Sequence, residues 1–198
     1  MLAQTSPDPT CDSFNYIQTA TGECVDLSYL TKMPVEPLDQ QFYQQWAEIG
    51  VKVIRKDCSD PDSPSPTLSS PPLTYGLYYP DLNLLQLCEN QTKANPKQTL
   101  DTIVHESWHI VQDCQAGFQG NSGNIIPIVS GNSPVRALVQ ALGQTSITGM
   151  LSQLSPGDLA DLQTLYAPED LGVEIEARFL QNYPETVLEA LERCPRSG

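Results

Sequence analysis

The feature that most constrains the fold is the sequence HESWH at residues 105–109, an H-E-x-x-H pattern inside a predicted helix. An Asn-Pro pair is typical of a helix start, and the helix is expected to run from Pro96 to about Gln115. Residues four apart share one helix face, so His105 and His109 can both bind one metal ion at about 2 Å. A fold for this chain must therefore bring a further ligand to this helix.

Glu106 follows the first histidine, where its carboxylate can accept a proton from a metal-bound water. His105 and His109 are the only histidines of the chain, and chance gives this pattern in roughly one such chain in two thousand. Zn²⁺ is the metal typical of the pattern, and a catalytic zinc takes three protein ligands plus water. Since there is no third histidine, the third ligand is expected to be a carboxylate.

The pattern and a downstream acidic helix together resemble the gluzincin zinc metallopeptidases. In that family a helix carrying E-x-x-A follows H-E-x-x-H and supplies a glutamate as the third ligand. Residues 172–178 (GVEIEAR) match, with Glu174 in the ligand position and Ala177 three residues later. The resemblance implies a zinc endopeptidase with the two histidines and Glu174 as ligands and Glu106 as general base.

Residues 76–87 (GLYYPDLNLLQL) resemble the edge-strand region of small gluzincins, in which an extended substrate pairs with a strand beside the metal. The resemblance implies that Leu82, Leu84 and Leu85 align a peptide or protein substrate.

Glu176 is the alternative to Glu174 as third ligand. The two residues point about 200° apart on a helix, so both cannot face one metal. The position of Ala177 favours Glu174, and a solvated acidic helix face is the alternative for both.

Arg178 departs from the family, whose members often carry at this position an Asp that orients a zinc-bound imidazole. Asp101, Asp113 or Gln112 on the motif helix could replace that carboxylate. Arg178 could instead bind a substrate carboxylate, pair with Glu174, or form a surface salt bridge.

Peptide hydrolysis also needs a donor to the oxyanion besides the metal. Tyr166 and Tyr183 flank the predicted Glu174 helix and are the candidate donors. The chain contains no G-x-S-x-G, P-loop or G-x-G-x-x-G pattern that would indicate another chemistry.

Six cysteines are spread singly along the chain, without any C-x-x-C pair. This pattern favours three disulfides and a location outside the cytoplasm over six buried thiols, although residues 1–10 do not resemble a signal peptide. A Cys11–Cys24 disulfide is expected, because Phe14–Gln18 and Glu23–Leu27 could form a hairpin.

The charge balance limits the partners. Ten Lys and Arg against 24 Asp and Glu give a net charge of −14, which argues against nucleic acid and anionic lipid as partners. No stretch approaches the 18 or so apolar residues of a membrane span. The oligomeric state stays open.

The predicted organisation is an N-terminal disulfide-stapled extension, residues 1–33, and a zincin-like domain, residues 34–198. A Ser/Pro-rich loop is expected at residues 58–73 and a second loop, bordering the cleft, at residues 118–133. Strands are expected before the motif helix at residues 51–55 and 74–88. Further helices are expected at residues 36–49, 168–181 and 184–193. Two more are expected to start at the Ser133-Pro134 and Ser155-Pro156 pairs and to run through residues 138–142 and 159–166. The fold class is therefore α+β, with a short sheet or hairpin on the metal-binding helix and a helical C-terminal half.

Two functions fit this sequence. The first is an exported zinc endopeptidase that hydrolyses peptide bonds. The second is a metallopeptidase-like binding module without turnover, which the Arg178 departure favours.

Overall fold

The computed structural model describes residues 16–18, 24–26, 37–56, 75–88, 96–118 and 125–195. The chain divides into two compact units, Met1–Gln40 and Gln41–Gly198. The predicted boundary between residues 33 and 34 and the predicted loop at residues 58–73 lie outside the described residues. The described elements form an α+β fold with a helical C-terminal half, as the sequence predicts.

The first unit contains an antiparallel pair of short strands. β1 (Tyr16–Gln18) pairs with β2 (Cys24–Asp26), which confirms the predicted hairpin pairing. Cys11 lies outside the described residues, and so does its predicted disulfide with Cys24.

A mixed three-stranded sheet lies in the second unit. Its strands, in the order β3-β5-β4, are β3 (Lys52–Lys56), β4 (Gly76–Tyr79) and β5 (Leu84–Cys88). The central strand, β5, runs parallel to β3 and antiparallel to β4. β4 therefore has a strand neighbour on one side only, within the part of the chain that the structure describes. α1 (Pro37–Glu48) precedes this sheet in the chain.

The helix that carries the H-E-x-x-H pattern is α2 (Pro96–Gln115), and it has the predicted bounds. It ends where expected, because Gly117 adopts a left-handed φ of 89° and Phe118 N–H donates back to the Asp113 carbonyl at 3.1 Å. Its residues from Thr102 to Cys114 are all buried. Polar side chains on this stretch must therefore find their partners inside the protein.

β4 packs against α2 at Gly76. A Cβ at this position would lie 2.7 Å from Thr102 Cγ2 and 3.0 Å from Glu106 Cγ. The first distance is shorter than packed carbon atoms allow and the second is at the tight limit, so the strand approaches the helix this closely because residue 76 is glycine. The approach brings the backbone of β4 within reach of the Glu106 carboxylate.

Five helices follow α2 in the second half of the chain. α5 begins as predicted, since Ser155 Oγ accepts a hydrogen bond from Asp158 N–H at 3.1 Å. α4 was not predicted, and α6 begins three residues after the expected start. No described helix has the length and apolar character needed to cross a membrane. The five helices are α3 (Arg136–Ala141), α4 (Ile147–Leu151), α5 (Pro156–Leu165), α6 (Leu171–Leu180) and α7 (Pro184–Glu192).

A disulfide joins Cys114 in the last turn of α2 to Cys194 after α7, across 80 residues of sequence. Cys88 on β5 is also disulfide-bonded, and none of the described cysteines is free. These bonds confirm the predicted disulfide bonding for Cys88, Cys114 and Cys194. The Cys114–Cys194 bond ties the motif helix to the end of the helical half, which lowers the entropy of the unfolded chain.

Candidate metal centre

The two histidines of α2 point their Nε2 atoms at the same place. His105 and His109 are one helical turn apart, and their Nε2 atoms are 3.2 Å from each other. Both side chains are buried. The local spacing on α2 therefore produces the convergence that the sequence predicts.

Glu174 completes a three-residue cluster from the first turn of α6. One carboxylate oxygen lies 3.4 Å from His105 Nε2 and the other lies 3.4 Å from His109 Nε2. Burial alone would raise the pKa of Glu174, but the two imidazoles lower it well below its usual range. Conversely, burial lowers the pKa of His109, but the Glu174 carboxylate outweighs it and raises that pKa to about 9.

The cluster fits a cation. Glu174 Oε2 is buried without a hydrogen-bond partner among the described residues, an arrangement that costs free energy unless a bound cation replaces the lost water. The donor set is two imidazole nitrogens and a carboxylate, all within 4.8 Å of one another. The three side chains can therefore hold a metal ion.

The side chain of Glu176 points away from the two histidines, as its spacing of two residues from Glu174 on one helix requires. Of the two glutamates, Glu174 is therefore the one that reaches the histidines. Glu176 is fully buried and accepts hydrogen bonds from Trp108 Nε1 at 3.0 Å and Gln112 Nε2 at 2.8 Å. The backbone N–H groups of Ile128 and Val129 donate to it at 2.7 and 2.8 Å. Glu176 is therefore a buried carboxylate that ties α2 and residues 128–130 to α6.

Gln112 orients one of the two imidazoles. Its Oε1 lies 2.9 Å from His109 Nδ1. Its Nε2 donates to Glu176 and, at 3.2 Å, to the Val173 carbonyl, and both groups only accept. Oε1 must therefore face the imidazole, so Nδ1 keeps its proton, and Nε2 is the nitrogen that would give up a proton to bind a metal ion.

The other two candidates for orienting an imidazole, Asp113 and Asp101, have different hydrogen-bond partners. Asp113 accepts a hydrogen bond from the Tyr78 hydroxyl at 2.7 Å, and Asp101 pairs with Lys97 at 2.6 Å. His105 Nδ1 is buried without a hydrogen-bond partner in the described part of the chain.

Replacing Gln112 by alanine is expected to weaken metal affinity roughly 10- to 100-fold, because His109 loses the acceptor that fixes its tautomer. Competition with a chromophoric chelator measures this affinity. Gln115→Ala is the matched control, since Gln115 lies on the same helix but bonds to Ser133. Equal metal affinities for the two variants would contradict the role given to Gln112.

Glu106 lies beside the ligands with its carboxylate held by the sheet. The backbone N–H of Tyr78 on β4 donates to Glu106 Oε2 at 2.9 Å. Burial raises the pKa of Glu106, although both imidazoles act in the opposite direction. A carboxylate held in place, with a raised pKa, suits a group that accepts a proton.

His105 and Glu106 border a cavity of about 460 Å³, and so does Tyr166. Burial and the nearby carboxylates of Glu174 and Glu106 raise the pKa of Tyr166 above its usual range. Tyr183 is not among the cavity-lining residues; its ring packs on that of Phe179, 5.1 Å between centroids. The structure therefore brings one of the two candidate tyrosines to the site.

The residues predicted to align a substrate, Leu82, Leu84 and Leu85, do not lie at an open strand edge. Leu84 and Leu85 lie on the central strand, where β3 and β4 already pair with them from both sides. Leu82 lies in the 3₁₀ turn Pro80–Leu82 and is exposed. The strand that has an open edge beside α2 is β4 instead.

The predicted loop at residues 118–133 also differs from expectation. Its described part contains a 3₁₀ helix, Ile128–Ser130, with Ile128 and Val129 buried. These residues cap Glu176 and are not among the residues that line the cavity. Two neighbouring backbone donors to a buried carboxylate leave no pattern in the sequence, so this contact was not predictable.

Comparisons of the chain with protein-family models, with curated proteins and with solved structures find no match.

Proposed function

We propose that this chain is a zinc-dependent endopeptidase of gluzincin type, with His105, His109 and Glu174 as metal ligands and Glu106 as general base. The observation that carries the proposal is the convergence of the three ligands, one of which, His105, borders the same cavity as Glu106. The helix spacing of H-E-x-x-H and the glutamate of a second helix both match the family that the sequence resembles.

The ligand spacing supports zinc as the metal. Tetrahedral ligands bound at about 2.0–2.1 Å are separated from one another by about 3.3–3.4 Å. The two histidine Nε2 atoms are 3.2 Å apart, close to this separation, and each lies 3.4 Å from a different oxygen of Glu174. Mg²⁺ and Ca²⁺ prefer sites made of oxygen ligands, which two imidazoles do not provide.

In this proposal a bound zinc ion supplies Lewis acidity toward water and toward the substrate carbonyl. Glu106 accepts the proton of the attacking water and later delivers it to the leaving amine. The Tyr78 N–H holds one oxygen of Glu106, and a carboxylate retains further acceptor positions for the water proton. Tyr166 stands at the cavity as the donor to the oxyanion.

β4 is the strand that an extended substrate would meet. It pairs with β5 on one side, and its packing on α2 at Gly76 sets it beside Glu106. Peptides commonly add as a further strand to such an open edge. The family resemblance and the sheet order both support this position for the substrate.

A random peptide library, read by mass spectrometry, tests the function. Zinc-loaded protein is expected to cleave internal peptide bonds, chelator-treated protein is expected to cleave none, and added zinc should restore cleavage. Protein that binds one zinc but cleaves no peptide would overturn the endopeptidase proposal and favour a binding module without turnover.

A further inference from the structure

The cavity beside the metal centre contains one unusual charge. Its walls come from β4, α2, α5 and α6, and the acidic groups Asp101, Glu106 and Asp161 lie along it. Arg178 is the only lysine or arginine among the described residues that line it. A cation in an otherwise acidic wall indicates a specific contact rather than a general attraction for anions.

The position of Arg178 relative to the metal ligands follows from the helix. Arg178 lies four residues after Glu174 on α6, so both side chains share one face and are separated by about 6 Å along the axis. The charge of Arg178 also reaches Tyr166, whose pKa it lowers against the larger effect of burial. Arg178 is therefore a neighbour of the metal centre within the same cavity.

The guanidinium of Arg178 is incompletely satisfied. Its Nε is buried and has no hydrogen-bond partner among the described residues. Asp158 Oδ1 lies 3.9 Å away, too far for a hydrogen bond, and both side chains keep some solvent exposure, 25% and 33%. A partly exposed guanidinium that lines a cavity and is only loosely paired with Asp158 is suited to a planar anion such as a carboxylate.

We propose that Arg178 binds a carboxylate of the peptide substrate and so makes this site selective for peptides with an acidic group near the cleaved bond. This inference rests on the proposed endopeptidase function. Arg178 borders the same cavity as His105 and Glu106. The carboxylate recognised is therefore expected to lie close to the cleaved bond.

Two sources can supply this carboxylate: the C-terminus of a peptide, or an Asp or Glu side chain within it. Both present the same planar anion to the guanidinium. Four N-acetylated alanine-based tetrapeptides separate them: one with a free C-terminus, one with a C-terminal amide, and two amidated peptides carrying either Asp or Asn internally.

Binding of these peptides to chelator-treated protein, measured by calorimetry, tests the inference. Metal-free protein is used because a carboxylate could otherwise bind the zinc directly. We expect wild-type protein to bind an acidic peptide roughly 10- to 100-fold more tightly than its neutral counterpart. Arg178→Gln should abolish that preference, and Arg178→Lys should restore only part of it, because an ammonium lacks the planar fork.

Two control variants distinguish recognition from a structural role. Arg193→Gln removes an arginine that pairs with Glu189 at 2.6 Å, away from the cavity lining, and should keep the preference for acidic peptides. Asp158→Asn removes the competing carboxylate and should keep or increase that preference. If Arg178 served only to hold Asp158, both Arg178→Gln and Asp158→Asn would lower the melting temperature without changing peptide preference.

The binding results for Arg178 can be told apart from a failure of the proposed endopeptidase function. Equal binding of acidic and neutral peptides, or no binding of either, would overturn the role of Arg178. A preference for the free C-terminus assigns the carboxylate to the chain end, and a preference for Asp over Asn assigns it to a side chain. Acidic preference without hydrolysis by the zinc-loaded protein would leave recognition standing and remove the endopeptidase function.

Discussion

His109→Ala is expected to carry no zinc, whereas wild-type protein carries about one zinc per chain. The substitution removes one of three ligands, and His109 Nε2 lies 3.4 Å from Glu174 and 3.2 Å from His105 Nε2. Loss of a ligand should lower the affinity by more than about 100-fold, the upper end of what loss of a ligand's hydrogen-bonding partner costs. Elemental analysis of the two proteins, purified side by side, measures the metal content.

The two glutamates of α6 provide a matched pair for the same measurement. Glu174→Gln is expected to lose the metal because it removes the anionic ligand. Glu176→Gln should still bind one zinc at saturation, since its carboxylate faces four donors on the opposite side of the helix. It should instead lower the free energy of unfolding by about 1–3 kcal/mol. Loss of metal in Glu176→Gln but not in Glu174→Gln would overturn the assigned ligand set.

Glu106→Gln is expected to lower the rate of peptide hydrolysis about 10²- to 10⁴-fold while zinc stays bound. The amide keeps the shape of the side chain and can still accept the Tyr78 hydrogen bond through its oxygen. It cannot take up a proton from water at neutral pH. Rates on one cleaved peptide, measured with metal content on the same samples, check this expectation.

An exposed carboxylate serves as the control for Glu106. Glu189 pairs with Arg193 on the surface of α7, so Glu189→Gln should hydrolyse peptide at the wild-type rate. Unchanged turnover by Glu106→Gln would exclude it as the general base. Loss of both zinc and turnover would indicate that Glu106 supports the metal instead.

Sequence patterns predicted the parts of the centre that depend on one helix. The bounds of α2 follow from local signals at its ends, and the spacing of His105 and His109 follows from the helical repeat. The same repeat showed that Glu174 and Glu176 must face apart, but it gave no measure of how α6 is rotated. Packing on α2 sets that rotation, since Glu176 accepts from Trp108 and Gln112 while Glu174 meets the histidines.

The strand proposed to meet the substrate is a feature that local sequence patterns did not predict. Local patterns correctly placed two β segments around Pro80, yet two of the three leucines chosen there, Leu84 and Leu85, lie on the central strand of the sheet. Strand order depends on β3, which is distant in sequence and pairs in parallel with β5. Nothing within residues 74–88 encodes that pairing.

The sequence by itself therefore determined the motif helix, the histidine pair, the α+β class and the disulfide bonding of Cys88, Cys114 and Cys194, because these depend on short-range periodicity and composition. Only the tertiary structure decided the remaining features. These are the orientation of Glu174 toward the metal position, the Gln112 bond to His109, the open edge of β4 and the place of Arg178 in the cavity. Each of them depends on contacts between elements far apart in the chain. The packing of one helix or strand on another decides which way their side chains and strand edges face.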